Sequence, residues 1–181
     1  MSFHNKQLVS VSLNDDDTLI GGPGIIVEID ESKFGKRKYH RGHRVEGVWV
    51  IGGVERSDER KMFAKVINNR SARTLLDVIS SHVLPGSIVY TDLWKGYSQL
   101  ENQLSMEHFT VNHSRTFVDP STGVHTNTIE GTWNAVKFSI APRNRTRNSV
   151  EGHLLEFIWR RKHATDLWNG LMEAFRNVHY N

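Results

Sequence analysis

Cysteine is absent from this chain, which excludes disulfides and thiolate metal sites and fits a reducing compartment. Long apolar runs are missing too: none approaches the roughly 20 residues of a membrane span. The N-terminal MSFHNKQLVS lacks a basic-then-apolar leader, so neither secretion nor a membrane partner is expected. There is no GxxxxGK[ST] phosphate loop, and IGGVE and GGPG read as turn glycines. What is present is ordinary globular material: 181 residues, 38% hydrophobic, with five Trp and eight Phe. That is enough for one domain with a real core.

Net charge is only +3, but the bases are grouped. KFGKRKYHRGHR carries Lys33, Lys36, Arg37, Lys38, Arg41 and Arg44; Arg143, Arg145 and Arg147 form a second group, and Arg160, Arg161 and Lys162 a third. Such clusters are a footprint for phosphates, although a solvated basic loop has the same composition.

Residues 1–24, with NDDDT and GGPG, read as an irregular lead-in. IIVEID alternates apolar and acidic residues as a strand, with Glu28 and Asp30 on one side. VEGVWVIGGVE and KMFAKVI are two further strands around the turn RSDER, which suggests an antiparallel meander. SARTLLDVISSHV follows as a helix, with Ser71 as N-cap and Leu75, Leu76 and Ile79 inward. SIVYTD is a strand ending in an acid, KGYSQL a helical turn and HFTVN a short strand. In HTNTIEGTWNAVK, Ile129, Trp133, Val136 and Ile140 form a core stripe at helical steps. Asn127, Glu130, Asn134 and Lys137 form a second, polar stripe beside it. Two amphipathic helices close the chain, the last with Trp168, Leu171, Met172, Phe175 and Val178 as its apolar residues. The order predicts an α/β fold in which three antiparallel strands are followed by α-β-α-β and flanking helices. The same order is that of a ribonuclease-H-like domain; periodicity by itself supports only a mixed α/β fold, and the finer name rests on the acids.

Three carboxylates stand where such a fold could join them. Asp30 ends the first strand, Asp92 ends SIVYTD, and Glu130 lies on the helix. Converging carboxylates repel one another unless cations neutralise them. Hard divalent ions with oxygen ligands do so, and two of them can activate a water or a 3′-hydroxyl and stabilise the leaving oxygen of a phosphodiester. Each acid also has a plainer reading as a strand-end turn residue or a surface acid. Asp119 and Asp15 to Asp17 are read only in that way.

The stretches VEIDESKFGKRKYHRGHRVEGVWVIGGVER, IVYTDLWKGYSQL and HFTVNHSRTFVDPSTGVHTNTIEGTWNAVK resemble the transposase domain shared by bacterial ISXO-type insertion sequences and eukaryotic Merlin elements. The resemblance covers about residues 25–162, leaving 163–181 as a C-terminal helix packed on or extending the domain. It implies a ribonuclease-H-like DDE transposase that cleaves DNA and transfers strands. Cleavage and strand joining need no nucleotide or organic cofactor, and the missing phosphate loop agrees. Asp30, Asp92 and Glu130 are then the catalytic, metal-binding acids for Mg²⁺ or Mn²⁺, with two ions expected. Lys137 matches a basic residue placed to touch transposon-end phosphate. Trp94, Tyr97 and Trp133 match aromatic positions and are read first as packing. His113 and His125 also match, and with Asn127 and Asn134 they are accessory candidates; Asn127 rivals Glu130 for the third position, although a carboxylate is the better cation ligand.

Transposon ends and target DNA are the implied partners, in a homodimer or larger assembly. The compartment is the nucleus in a eukaryote and the cytoplasm in a bacterium. Relatives usually carry an upstream DNA-binding module, often a zinc ribbon, and only 29 residues without Cys precede Asp30. A truncated or domesticated copy that binds DNA without turnover is thus a second reading. A nuclease acting on RNA–DNA hybrids or branched DNA, using the same acids, is a third.

Overall fold

The computed structural model describes Val9 and residues 12–35, 47–112, 118–120 and 122–177. Its centre is a five-stranded mixed sheet in the order β4-β3-β2-β6-β7. The strands are β2 (Ile26–Phe34), β3 (Val48–Glu55), β4 (Met62–Ile67), β6 (Ile88–Asp92) and β7 (Glu107–Val111). β2, β3 and β4 form the antiparallel meander, whereas β6 joins β2, and β7 joins β6, in parallel. Parallel neighbours need a crossover, and two helical segments supply them. The first is α1 (Ala72–His82); the second is a short 3-10 turn (Lys95–Tyr97) with α2 (Leu100–Leu104). This is a ribonuclease-H-like α/β fold.

Within the lead-in, Ile20–Gly21 (β1) pairs in parallel with Val83–Leu84 (β5), and the Gly21 amide donates to the Glu55 carboxylate at 2.9 Å. After β7 come α3 (Asn127–Ser139), a 3-10 turn (Pro142–Asn144), α4 (Arg147–Lys162) and α5 (Leu167–Asn177). No helix among the described residues is long and apolar enough to cross a membrane.

Strand alternation divides the core into two halves. Val27 and Ile29 of β2, with Ile51 of β3, face Leu75, Leu76 and Ile79 of α1. Phe34 of β2, with Val50 and Val54 of β3, faces Ile129, Trp133 and Val136 of α3 and Val150, Leu154 and Ile158 of α4. The predicted α3 stripe is buried throughout, Ile140 included. Ser71 caps α1 by accepting the Thr74 amide at 3.3 Å. In α5, by contrast, Trp168 is 70% exposed and Phe175 43% exposed, so its expected apolar face is only partly covered. Burial there centres on Ala174, with Gly170 close against the His163 ring. Val178 lies outside the described residues.

Candidate active site

Period-2 alternation puts Glu28, Asp30 and Phe34 of β2 on the face covered by α3. The parallel pairing ends with Glu28 opposite Tyr90; carried two residues further, that spacing would set Asp92 opposite Asp30. On the other side Asp30 is paired with Gly52, which with Gly53 lies mid-strand in β3 and not in the turn that IGGVE suggested. Gly52 leaves the space that the Trp133 ring fills: a Cβ there would sit 2.7 Å from the indole edge. The absent side chain lets α3 lie low over β2 and β3, so Glu130 and Lys137 reach the surroundings of Asp30.

The electrostatics record that convergence. The Asp30 carboxyl is pushed up to about 7, first by burial, then by the charges of Glu31, Asp92 and Glu130. Lys137 is lowered, chiefly by burial and further by Arg145, while Asp30 opposes the shift. Its ammonium also lies 5.6 Å from the centre of the Phe34 ring. Two members of the polar stripe on α3, Glu130 and Lys137, therefore act on the first acid. The Thr126 hydroxyl donates to the Glu130 carboxylate at 3.2 Å and helps to fix it. Asn127 and Asn134 are exposed on the same helix.

What holds α3 in place is a group not singled out from sequence. The Glu28 side chain is fully buried, and its Oε2 accepts the Thr128 and Ile129 amides at 2.8 and 3.0 Å. These are unpaired donors of the first helical turn, where negative charge is also favoured. Its Oε1 accepts from Arg56 Nε at 2.5 Å. Arg56 Nη2 donates to the His125 carbonyl at 2.7 Å and contacts the ring Nδ1 at 2.8 Å. The Asn127 amide also donates to that Nδ1, at 3.3 Å. Two obligate donors leave Nδ1 an acceptor, so the neutral ring carries its proton on Nε2. His125 is thus part of the junction between β2 and α3. Glu28 was legible as sharing a face with Asp30, whereas Arg56 sits in the turn RSDER and carried no signal.

On the opposite face, next along β2, Glu31 accepts a hydrogen bond from Tyr97 Oη at 2.7 Å and lies 3.9 Å from Arg70. Burial raises its carboxyl, with Asp92 adding to the shift and Tyr97 and Arg70 opposing it. Burial and the same acids push the Tyr97 phenol well above its usual range. Tyr97 and Trp133 are buried, as expected of packing aromatics, but Trp94 is 41% exposed.

The expected DNA-contacting bases fall in different settings. Lys33 is exposed, 5.3 Å from the centre of the Trp49 ring. Arg143 is exposed in the turn after α3. Arg145 is half-buried and closes the end of α3, donating to the Ile140 carbonyl at 3.0 Å and to the Lys137 carbonyl. Lys36, Arg37, Lys38, Arg41, Arg44 and His113 lie outside the described residues.

A family model for the ISXO2-like transposase domain matches residues 13–161, most of the chain. The chain belongs to this family. It is also similar to an uncharacterized transposase-like protein of Haemophilus influenzae, with 34% identity over 101 residues that cover 55% of this chain and 80% of that relative.

In this transposase-family domain the carboxylates fit a hard cation by chemistry: all are oxygen donors, and the charges of Asp92 and Glu130 add to the hold of Asp30 on its proton. As the side chains stand, no group of three or more His, Asp or Glu among the described residues is gathered at ligating distance.

Proposed function

We propose that this domain is the catalytic core of a DNA transposase, which cleaves DNA at element ends and joins the freed 3′-hydroxyl to target DNA. The observation that carries the reading is the Asp30 carboxyl, raised to about 7 first by burial and then by the charges of Glu31, Asp92 and Glu130. Acids from β2, β6 and α3 thus lie near enough for their charges to act on Asp30, and drawing them closer together is costly without a cation. The catalytic unit in this reading spans residues 25–162, and two copies act on the two ends of an element.

Asp30, Asp92 and Glu130 would hold Mg²⁺ or Mn²⁺, as two ions. Bound metal supplies activation of a water or hydroxyl and stabilises the leaving oxygen. The remaining work falls to the chain. Asp30, whose carboxyl holds its proton up to about pH 7, would have to give it up for a cation to bind. Lys137, half-buried beside Asp30, offers a charge for the phosphate next to the scissile bond. Lys33 and Arg143 are exposed to track the backbone further out. Glu28 and Arg56 keep α3, and with it Glu130, seated on β2.

Strand joining is the discriminating test. Duplexes taken from the DNA flanking the coding sequence, with a labelled 3′-hydroxyl end, are incubated with protein, plasmid and Mn²⁺. The proposal expects label to become covalently joined to the plasmid. Hydrolysis with no joined product would favour a nuclease, and salt-dependent binding indifferent to EDTA with no product would favour a non-catalytic binding protein.

A further inference from the structure

The end of the sheet that carries the acids also carries an arginine set against two indoles, three residues that the proposed chemistry leaves unused. The Arg70 guanidinium lies between two indoles, 4.0 Å from the ring centre of Trp49 and 4.5 Å from that of Trp94. Lys33 Nζ lies 5.3 Å from the Trp49 ring, on a strand position directly paired with Trp49. Arg70 is held in turn by Glu31, at 3.9 Å. The group is tied to the acids through the main chain: the Trp94 amide donates to Asp92 Oδ1 at 3.0 Å, so the indole projects two residues beyond the second acid.

Packing accounts for only part of this. Trp94 keeps 41% of its surface exposed, and the preceding Leu93 keeps 56%. A large indole left in water beside a strand end is costly when its only described stacking partner is a cation. Aromatic faces interleaved with fixed positive charge are the combination that grips single-stranded nucleic acid. A base stacks on the ring, and the cations answer the adjoining phosphates. Bases inside a duplex have both faces occupied and cannot use such a platform.

The geometry points to Trp94, backed by Arg70 and Trp49, as a stacking platform for an unpaired nucleobase next to the scissile phosphate. The inference rests on the proposed DNA reading and extends it: the substrate is gripped with at least one base out of the helix. Trp94 would be a positioning residue, setting where the strand passes Asp92.

The test is binding by the intact chain in EDTA, so that no turnover is needed. The DNA probes are a blunt duplex and the same duplex with a short single-stranded 3′ extension carrying 2-aminopurine. The extended duplex is expected to bind about tenfold more tightly, the scale of one stacked base, with the 2-aminopurine emission quenched. Trp94→Leu, which keeps bulk but lacks a π face, should erase both the preference and the quenching, and Trp94→Phe should restore most of each. Equal affinity for the two duplexes, or quenching that survives Trp94→Leu, would overturn the inference. The wild-type comparison stands whether or not a variant folds. Absence of binding to any DNA would overturn this inference and the DNA reading together. Metal-dependent nicking without a preference for the extended duplex would overturn the stacking platform alone.

Discussion

The buried carboxylate of Glu28 accepts the amides of Thr128 and Ile129, a hundred residues away in sequence, at 2.8 and 3.0 Å. One side chain thereby joins the strand that carries Asp30 to the helix that carries Glu130, and Arg56 neutralises it from the other side.

Removing Arg56 leaves that buried carboxylate with its two amides but without its guanidinium partner. Arg56→Ala should therefore lower unfolding free energy by about 3–5 kcal/mol. The half-exposed pair Lys65–Glu151, with 3.2 Å between charges, is the control: Lys65→Ala should cost no more than about 1 kcal/mol. Urea denaturation of both variants checks the contrast, and comparable losses would mean that the junction is not the keystone described.

The raised Asp30 carboxyl makes stability depend on pH with a definite sign. The folded protein binds the Asp30 proton more tightly than the unfolded chain, so this group's contribution is fully present below about pH 4. It is lost as pH rises through about 7. In EDTA the melting temperature should fall across that window, and Asp30→Asn should flatten its slope. Added Mn²⁺ should stabilise the wild type more at pH 8 than at pH 5, because the proton no longer competes. A melting profile in which Asp30→Asn keeps the wild-type slope would show that Asp30 is not the titrating group.

Gly52 is the space into which Trp133 fits. A Cβ at that position would lie 2.7 Å from the indole and 3.0 Å from the Phe63 carbonyl, so neither neighbour yields easily. Gly52→Ala should cost about 1–3 kcal/mol as overpacking. Nicking activity should fall further than the loss of folded protein explains, because α3 is lifted off Asp30. Thermal melts paired with activity per folded molecule separate the two effects.

Lys137→Ala should weaken DNA binding to a similar degree across sequences and reduce the slope of log affinity against log salt by about 1, the signature of one lost phosphate contact. Lys137→Arg should retain most of the slope. Fluorescence anisotropy over a salt series reads both; an unchanged slope in Lys137→Ala would remove the residue from the DNA path.

The local rules carried much of the fold. Alternation in IIVEID marked β2 and its two faces, and helical spacing of Ile129, Trp133, Val136 and Ile140 marked the buried side of α3, because both patterns arise from burial on one side of a regular element. They also put Glu130 and Lys137 on one polar stripe, and both interact with Asp30. What local rules could not reach was tertiary. Glu28 became a helix anchor only when α3 docked on β2, and Arg56 in its turn had no pattern to announce it. Arg145 looked like one of a basic group until α3 ended beside it and offered unpaired carbonyls. Arg70 gained its place from two tryptophans on separate segments.

The convergent acids meet their most direct test in the nicking of supercoiled plasmid by purified protein with Mg²⁺, Mn²⁺ or EDTA. Wild type is compared with Asp30→Asn, Asp92→Asn and Glu130→Gln. Three acids sharing one metal-bearing site predict nicking that requires the cation and is lost in every one of the three variants. Nicking that persists in EDTA, or at wild-type rate in any of the three, would contradict it.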